Sequence, residues 1–107
     1  MDFAESLYVE FTLIGEIADI YAATKQYLED KEFVFKKETP NKSLNALYMH
    51  KTLSRKLDVT FDTTEKGILI SINDEFDDAK VRGEIFTLRE DVNTMIAYLR
   101  AMFTYFE

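Results

Sequence analysis

The feature that most constrains the fold is a pair of alternating segments on either side of one turn. Every second residue is apolar in LDVTFD (57–62), and the same alternation recurs through three isoleucines in GILISIN (67–73). A period of two is typical of a β-strand with one buried face. The loop of four to five residues that ends at Gly67 is short enough to join a hairpin. The sequence therefore predicts an antiparallel sheet whose apolar face is covered by another layer.

Three further segments are predicted as strands of the same sheet. They are EFVFKKE (32–38), NALYMHKTL (45–53) and KVRGEIFT (80–87). The first two are separated by the turn cluster TPNKS, and β-branched and aromatic residues are frequent in the first. An alternative for 43–56 is a helical turn that begins near Leu44, because apolar residues also recur there at helical spacing.

The C-terminal segment, residues 87–107, predicts an α-helix. Thr87 followed by Glu90 has the spacing of a capping box, which marks a helix start. Spacings of three and four place the apolar residues on one helical face. These residues are Leu88, Val92, Met95, Ile96, Leu99, Met102, Phe103 and Phe106.

The N-terminal segment fits two patterns. A helical stripe of apolar residues runs from Phe3 to Tyr21 and predicts a helix over residues 3–30. The alternative is a strand at 6–13 followed by a helix at 16–30, because the same stretch also alternates with a period of two in residues of good β propensity.

Together these elements predict an α+β fold in a single domain, residues 1–107. Its sheet is an antiparallel meander of four to five strands, with an N-terminal and a C-terminal helix packed on one face. Three Gly and one Pro in 107 residues leave little chain for long loops.

Composition excludes several classes of chemistry. The chain has no cysteine, so disulfides, thiolate nucleophiles and cysteine-ligated zinc are absent. The N-terminus is acidic rather than basic, unlike a secretory signal, and no window has the roughly 18 apolar residues of a membrane span. We expect a cytoplasmic protein without membrane contact.

The charge distribution favours a basic partner. The 20 acidic and 13 basic residues give a net charge of −7, and the first basic residue is Lys25. Such a surface repels nucleic acid and anionic membranes. We therefore expect no direct nucleic-acid binding.

The acidic stretch NDEFDDAKVRGE (73–84) has the length of an EF-hand loop. The positions that would supply oxygen ligands are Asn73, Glu75, Asp77 and Glu84. However, Asp78 stands where the sharp turn of an EF-hand requires Gly, and both flanks resemble strands rather than helices. We expect a polar turn with Asp74 and its acidic neighbours in water, and no metal site.

Catalytic signatures are also missing. His50 is the only histidine, and no Gly-x-Ser-x-Gly elbow, phosphate-binding glycine loop or dinucleotide fingerprint is present. We expect no catalytic residue and no cofactor.

The breadth of the predicted helices indicates an interface. A helix that covers one core needs an apolar stripe of roughly 100°, but the C-terminal helix carries a second line through Tyr98, Ala101 and Tyr105. Tyrosines among small residues are typical of interfaces. These three residues are predicted to form a homodimer interface.

The resulting functional prediction is a non-catalytic acidic interaction module, such as a small inhibitor, immunity or chaperone-like protein, that binds a basic protein surface. The residues predicted to contact the partner are Glu10, Glu16, Asp19, Asp74, Glu75, Asp77 and Asp78. Two alternatives stay open: a nucleic-acid mimic that inhibits a DNA-binding protein, and a small-ligand or calcium-binding module.

Overall fold

The structure is a computed structural model that describes residues 4–50, 53–77 and 85–106. Six strands and two helices lie in these ranges. In chain order they are β1 (Ala4–Ile14), α1 (Ile17–Asp30), β2 (Val34–Thr39), β3 (Ser43–His50), β4 (Leu53–Thr64), β5 (Gly67–Asp77), α2 (Ile85–Met102) and β6 (Thr104–Phe106).

The six strands form one antiparallel sheet in the order β2-β3-β4-β5-β1-β6. Strands β2 to β5 are a meander, and β1 adds to it beside β5 while α1 leads the chain back to the far edge at β2. The α+β class and the antiparallel sheet with two helices are therefore confirmed.

The predicted helix over residues 3–30 is wrong, and the alternative of a strand followed by a helix is confirmed. Strand β1 pairs with β5 in one unbroken register from Ala4 to Leu13. That ladder places Phe11 and Leu13 in the core, so tertiary pairing overrides the helical pattern of the same residues. The change from strand to helix falls at Gly15, where an added Cβ would lie 3.2 Å from the ring of Phe103.

The central hairpin is confirmed, with a shorter loop than expected. Thr64 pairs directly with Gly67, so only two residues connect β4 to β5. The Thr64 hydroxyl accepts a hydrogen bond from the Lys66 backbone N–H at 3.2 Å and donates one to the Gly67 carbonyl at 2.8 Å. Residues 43–50 form a strand rather than the helical turn considered for this stretch.

The C-terminal prediction needs two corrections. Helix α2 already begins at Ile85, so residues 85–87 of the predicted strand are helical. Thr87 therefore lies inside the helix and is not its N-cap. The rest of that predicted strand, residues 80–84, lies outside the described part of the chain. The helix ends at Met102, and the next residues turn back as β6 to pair with Thr12–Ile14 of β1. Pairing at a sheet edge thus ends a helical pattern that continues to the C-terminus in the sequence.

Both helices cover the same face of the sheet. Alternate strand residues point towards them and form one apolar core with one stripe from each helix. Its fully buried large side chains are Leu13, Ile20, Leu28, Leu44, Leu57, Val59, Ile70, Ile72, Met95 and Leu99. The opposite face, here called the outer face, has no covering layer in the described part of the chain. Neither described helix combines the length and apolarity needed to cross a membrane.

Candidate functional site

A buried ion cluster joins the sheet to α2. Arg55 of β4 and Asp74 of β5 both point towards the helices, because each continues the inward alternation of its strand. Their exposed fractions are only 5% and 0%. Charged side chains this deeply buried need partners, and each is the other's partner.

The hydrogen bonds within this cluster are those of an arginine–carboxylate fork. Arg55 Nε donates to both Asp74 carboxylate oxygens, at 3.0 and 3.1 Å, and Nη2 donates to Oδ2 at 2.6 Å. Nη1 donates to Asp91 Oδ2 of α2 at 2.9 Å. Because the Asp91 side chain is 43% exposed, the cluster runs from the core to the surface.

Burial and pairing act against each other on the charges of this cluster. Burial raises the pKa of the Asp74 carboxyl above its ordinary value, and the hydrogen bonds and charge of Arg55 offset only part of that rise. Burial lowers the pKa of Arg55, but its bonds to Asp74 and Asp91 outweigh this and hold the pKa above its ordinary value. The short, charge-assisted contacts fit an ionised pair at neutral pH.

Tyr27 of α1 closes one side of a small cleft above this cluster. The cleft has room for about one water molecule, and the buried Tyr27 hydroxyl has no hydrogen-bond partner within the described part of the protein. The ring packs on Tyr98 of α2 with centroids 5.2 Å apart. Burial, helped by the charge of Asp91 and opposed by Arg55, raises the pKa of the Tyr27 hydroxyl. The lining residues are Tyr27, Leu28, Lys31, Phe33, Arg55, Leu57, Asp91, Val92 and Met95.

Tyr27→Phe is expected to leave the free energy of unfolding unchanged or to raise it by about 1 kcal/mol, because a buried hydroxyl without a partner is unfavourable. Urea denaturation of the two proteins measures the difference. A loss of stability greater than about 1 kcal/mol would mean that the hydroxyl makes a hydrogen bond that stabilises the fold.

The geometry of the ion cluster is that of a structural link. Arg55 donates to both Asp74 and Asp91, and no nucleophile with an oriented base stands among the three residues. Within the described ranges, no three His, Cys, Asp or Glu side chains are grouped so as to hold a metal ion. The cluster therefore ties β4, β5 and α2 together.

The structure corrects the expectation that Asp74 stays in water: its carboxylate is fully buried against Arg55 and is not available to a partner. Glu10 and Glu75 lie on the outer face. Asp77 lies opposite Ala4 at one end of β1, and Asp78 is outside the described residues.

Glu16 and Asp19 lie past the other end of β1, where they flank the N-terminus of α1. There the negative charges interact favourably with the helix dipole. Since β1 rises about 3.3 Å per residue, its ends are about 30 Å apart. The structure does not bring the predicted acidic residues together into one surface.

The described EF-hand candidates do not lie in a loop. Asn73, Glu75 and Asp77 belong to the extended strand β5 rather than to a loop. Alternate residues along a strand are about 6.6 Å apart, so these three span about 13 Å and cannot converge on a single ion at the 2.3–2.6 Å that calcium requires. Glu84 is outside the described residues.

The predicted interface line on the C-terminal helix is also broken. Tyr98 and Ala101 are exposed on α2, and Tyr98 is 38% exposed while it packs on Tyr27. Tyr105 is not helical: it belongs to β6, opposite Leu13. The three residues therefore do not form one helical surface.

The sheet has two contrasting edges. At one edge, β2 is six residues long and carries a register shift between Phe35 and Lys37. At the other edge, β6 covers only Thr12–Ile14 of β1. Residues 4–11 of β1, here called the open edge, have no strand beside them on that side in the described part of the chain.

Comparison with known proteins identifies the fold and no family. No family model matches the chain, and no curated protein matches its sequence. Its structure is similar to that of an uncharacterized protein from Rhizobium leguminosarum, with a TM-score of 0.66 over 94% of this chain and 97% of that one. At 11% identity, this similarity shows a shared fold alone.

Proposed function

We propose that the chain is a non-catalytic interaction module that binds a partner protein of basic surface charge. The observation that carries this proposal is the uncovered outer face of the sheet. Because an antiparallel sheet can have one face in water, an uncovered face does not by itself indicate a partner. The composition and charge of the outer face are therefore the evidence for binding.

Two large side chains are strongly exposed on the outer face. Tyr8 of β1 and Val34 of β2 are 62% and 61% exposed. Several small polar side chains share this face with them, and exposed aromatic side chains such as Tyr8 are typical anchors of protein interfaces. The small polar residues are Thr12, Ser43, Asn45, Asp58, Thr60, Ser71 and Asn73.

The charge of the protein supports a basic partner. The net charge is −7, and the exposed Glu10 lies beside Tyr8, whose hydroxyl donates to its carboxylate at 3.1 Å. A field of this sign speeds encounter with a basic surface, while the aromatic contact supplies lasting affinity.

A purified complex with its partner tests this proposal. The partner is isolated with the tagged chain from the native host, identified, expressed separately and recombined with the chain, and association is followed at low and at high salt. We expect association to slow at high salt, and Tyr8→Ala to weaken binding at least about tenfold, as loss of an interface anchor does.

Tyr98→Ala is the matched control, because it removes a tyrosine from the helical layer rather than from the outer face. It is expected to leave the affinity within about twofold, since residues outside an interface contribute little. A recombined pair that associates equally fast at all salt concentrations, or no complex at all, would contradict the proposal. The homodimer remains a prediction, which light scattering over a range of concentrations tests.

A further inference from the structure

We propose that the open edge of β1 accepts an extended, basic segment of the partner protein as an additional β-strand. This inference rests on the proposed function and names the segment of the chain that the partner contacts. It is carried by three properties of the edge: backbone groups that no described strand pairs with, few protective devices, and the pattern of side chains.

The backbone of the open edge offers a ladder of hydrogen-bonding groups. A strand directs the N–H and C=O groups of alternate residues to opposite sides. Along residues 4–11 one set pairs with β5, so about four residues direct both groups away from the sheet. An extended polypeptide is the ligand whose chemistry matches such a ladder.

Strand β1 lacks most of the devices that usually protect an edge; its only charged side chains are those of Glu5 and Glu10. Natural edge strands carry lysine, proline or a bulge, or are very short. Strand β2 at the other edge has such devices: it carries Lys36 and Lys37 and its register is broken there. Strand β1, AESLYVEFTLI, is 11 residues long and has no lysine, arginine or proline, and its pairing with β5 is unbroken.

The side chains along the open edge specify an alternating partner. Leu7 and Val9 are half-buried and pack against the core on the helical side. Tyr8 and Glu10 are exposed on the outer side. An added strand would therefore place apolar residues beside Leu7 and Val9 and a lysine or arginine beside Glu10, since opposite charges on neighbouring strands attract.

A second copy of this chain fits the same edge less well. The only charged residues of β1 are Glu5 and Glu10, so pairing two copies would gather four carboxylates in one two-stranded ladder without a base. Each copy also has a net charge of −7, which opposes association. The observations therefore favour a basic segment of another protein.

The test uses a capped, fluorescent eight-residue peptide of alternating lysine and valine. Binding to the full chain is measured by anisotropy, and the β1 amides are followed by NMR. The same peptide is also prepared with N-methyl groups on every valine or, separately, on every lysine. Because each pattern blocks one side of the peptide's backbone, we expect one pattern to abolish binding and the other to preserve it.

Two variants of equal charge locate the site. Glu10→Lys, on the open edge, is expected to weaken peptide binding at least tenfold. Glu29→Lys, exposed on α1, makes the same change in net charge and is expected to leave binding within twofold. Equal binding of both methylated peptides, equal effects of the two substitutions, or no binding of the unmodified peptide would overturn the inference.

The outcomes also separate this inference from the function on which it rests. A partner complex that forms normally with Glu10→Lys, and that leaves the β1 amides unchanged, would refute the open-edge inference while supporting the interaction module. The absence of any partner complex would refute the interaction module itself.

Discussion

Arg55→Met is expected to lower the free energy of unfolding by about 3–5 kcal/mol, which is the usual effect of breaking a buried ion pair. The substitution removes a guanidinium that makes three contacts of 2.6–3.1 Å with Asp74. It leaves a carboxylate of 0% exposure without its partner. Urea denaturation at neutral pH measures the loss.

The double variant is the decisive control for this prediction. Asp74→Leu alone is expected to lower the free energy of unfolding by a similar amount. The double variant, Arg55→Met with Asp74→Leu, is expected to lower it by far less than the sum of the two single losses. The reason is that two apolar side chains of similar volume can replace a buried ion pair. Asp91→Asn changes the half-exposed member and is expected to cost about 1 kcal/mol or less. Additive single effects would contradict the view that the pair acts as a unit.

The pH dependence of Arg55→Met follows from Asp74. Burial raises the pKa of this carboxyl above its ordinary value of 3.8, and removing Arg55 removes the contacts that lower it. The folded state then binds the proton more tightly than the unfolded state, so the variant should gain stability as the pH falls from neutrality towards 3.8. The double variant lacks the carboxyl and should show no such gain.

Gly67→Ala is expected to lower the free energy of unfolding by roughly 2–6 kcal/mol, the sum of backbone strain and steric overlap. Gly67 begins β5 with φ of +136°, a conformation that L side chains rarely adopt. A Cβ there would lie 2.6 Å from the Leu13 carbonyl oxygen, and backbone on a paired strand cannot move aside easily. Thermal or urea denaturation measures the effect.

Gly15→Ala is the matched control for Gly67→Ala. Its Cβ would meet the side chains of Phe103 at 3.2 Å and Ile20 at 3.5 Å rather than backbone. A ring can shift by a few tenths of an ångström, so we expect a change of about 1 kcal/mol or less, below the usual range for overpacking. Equal losses at the two glycines would contradict the steric explanation for Gly67.

The sheet could be predicted from the sequence because its pattern is local. The alternation of LDVTFD and GILISIN fixes which face is buried, and the observed register keeps that face towards the helices. The N-terminal segment could not be decided in the same way, because Leu7 and Phe11 satisfy both periods. The ladder with β5, more than fifty residues away in sequence, decides for a strand.

The buried cluster was missed although a local signal for it exists. Continuing the inward alternation of Leu57 and Val59 back by two residues reaches Arg55, and continuing that of Ile70 and Ile72 forward reaches Asp74. A charge at an inward position on each of two predicted hairpin strands indicates a buried pair. The contribution of Asp91 was not predictable, because it depends on how α2 lies across the sheet.

The open edge could not be predicted from the sequence, because its position depends on the order of the strands in the sheet. Residues 6–13 gave a strand only as an alternative, and no local pattern shows that β1 lies near an edge or that β6 stops beside Thr12. The absence of a basic residue before Lys25 was visible. That this absence leaves a sheet edge without lysine follows only from the strand order.

Backbone amide hydrogen exchange along β1, measured by NMR on the free chain, tests the central claim most directly. If residues 4–11 form an open edge, alternate amides paired with β5 will be protected and the amides between them will exchange rapidly. Addition of the partner protein will then slow the exchange of the amides that do not pair with β5. Uniform protection of all these amides in the free chain would show that the edge is already covered and would contradict the account.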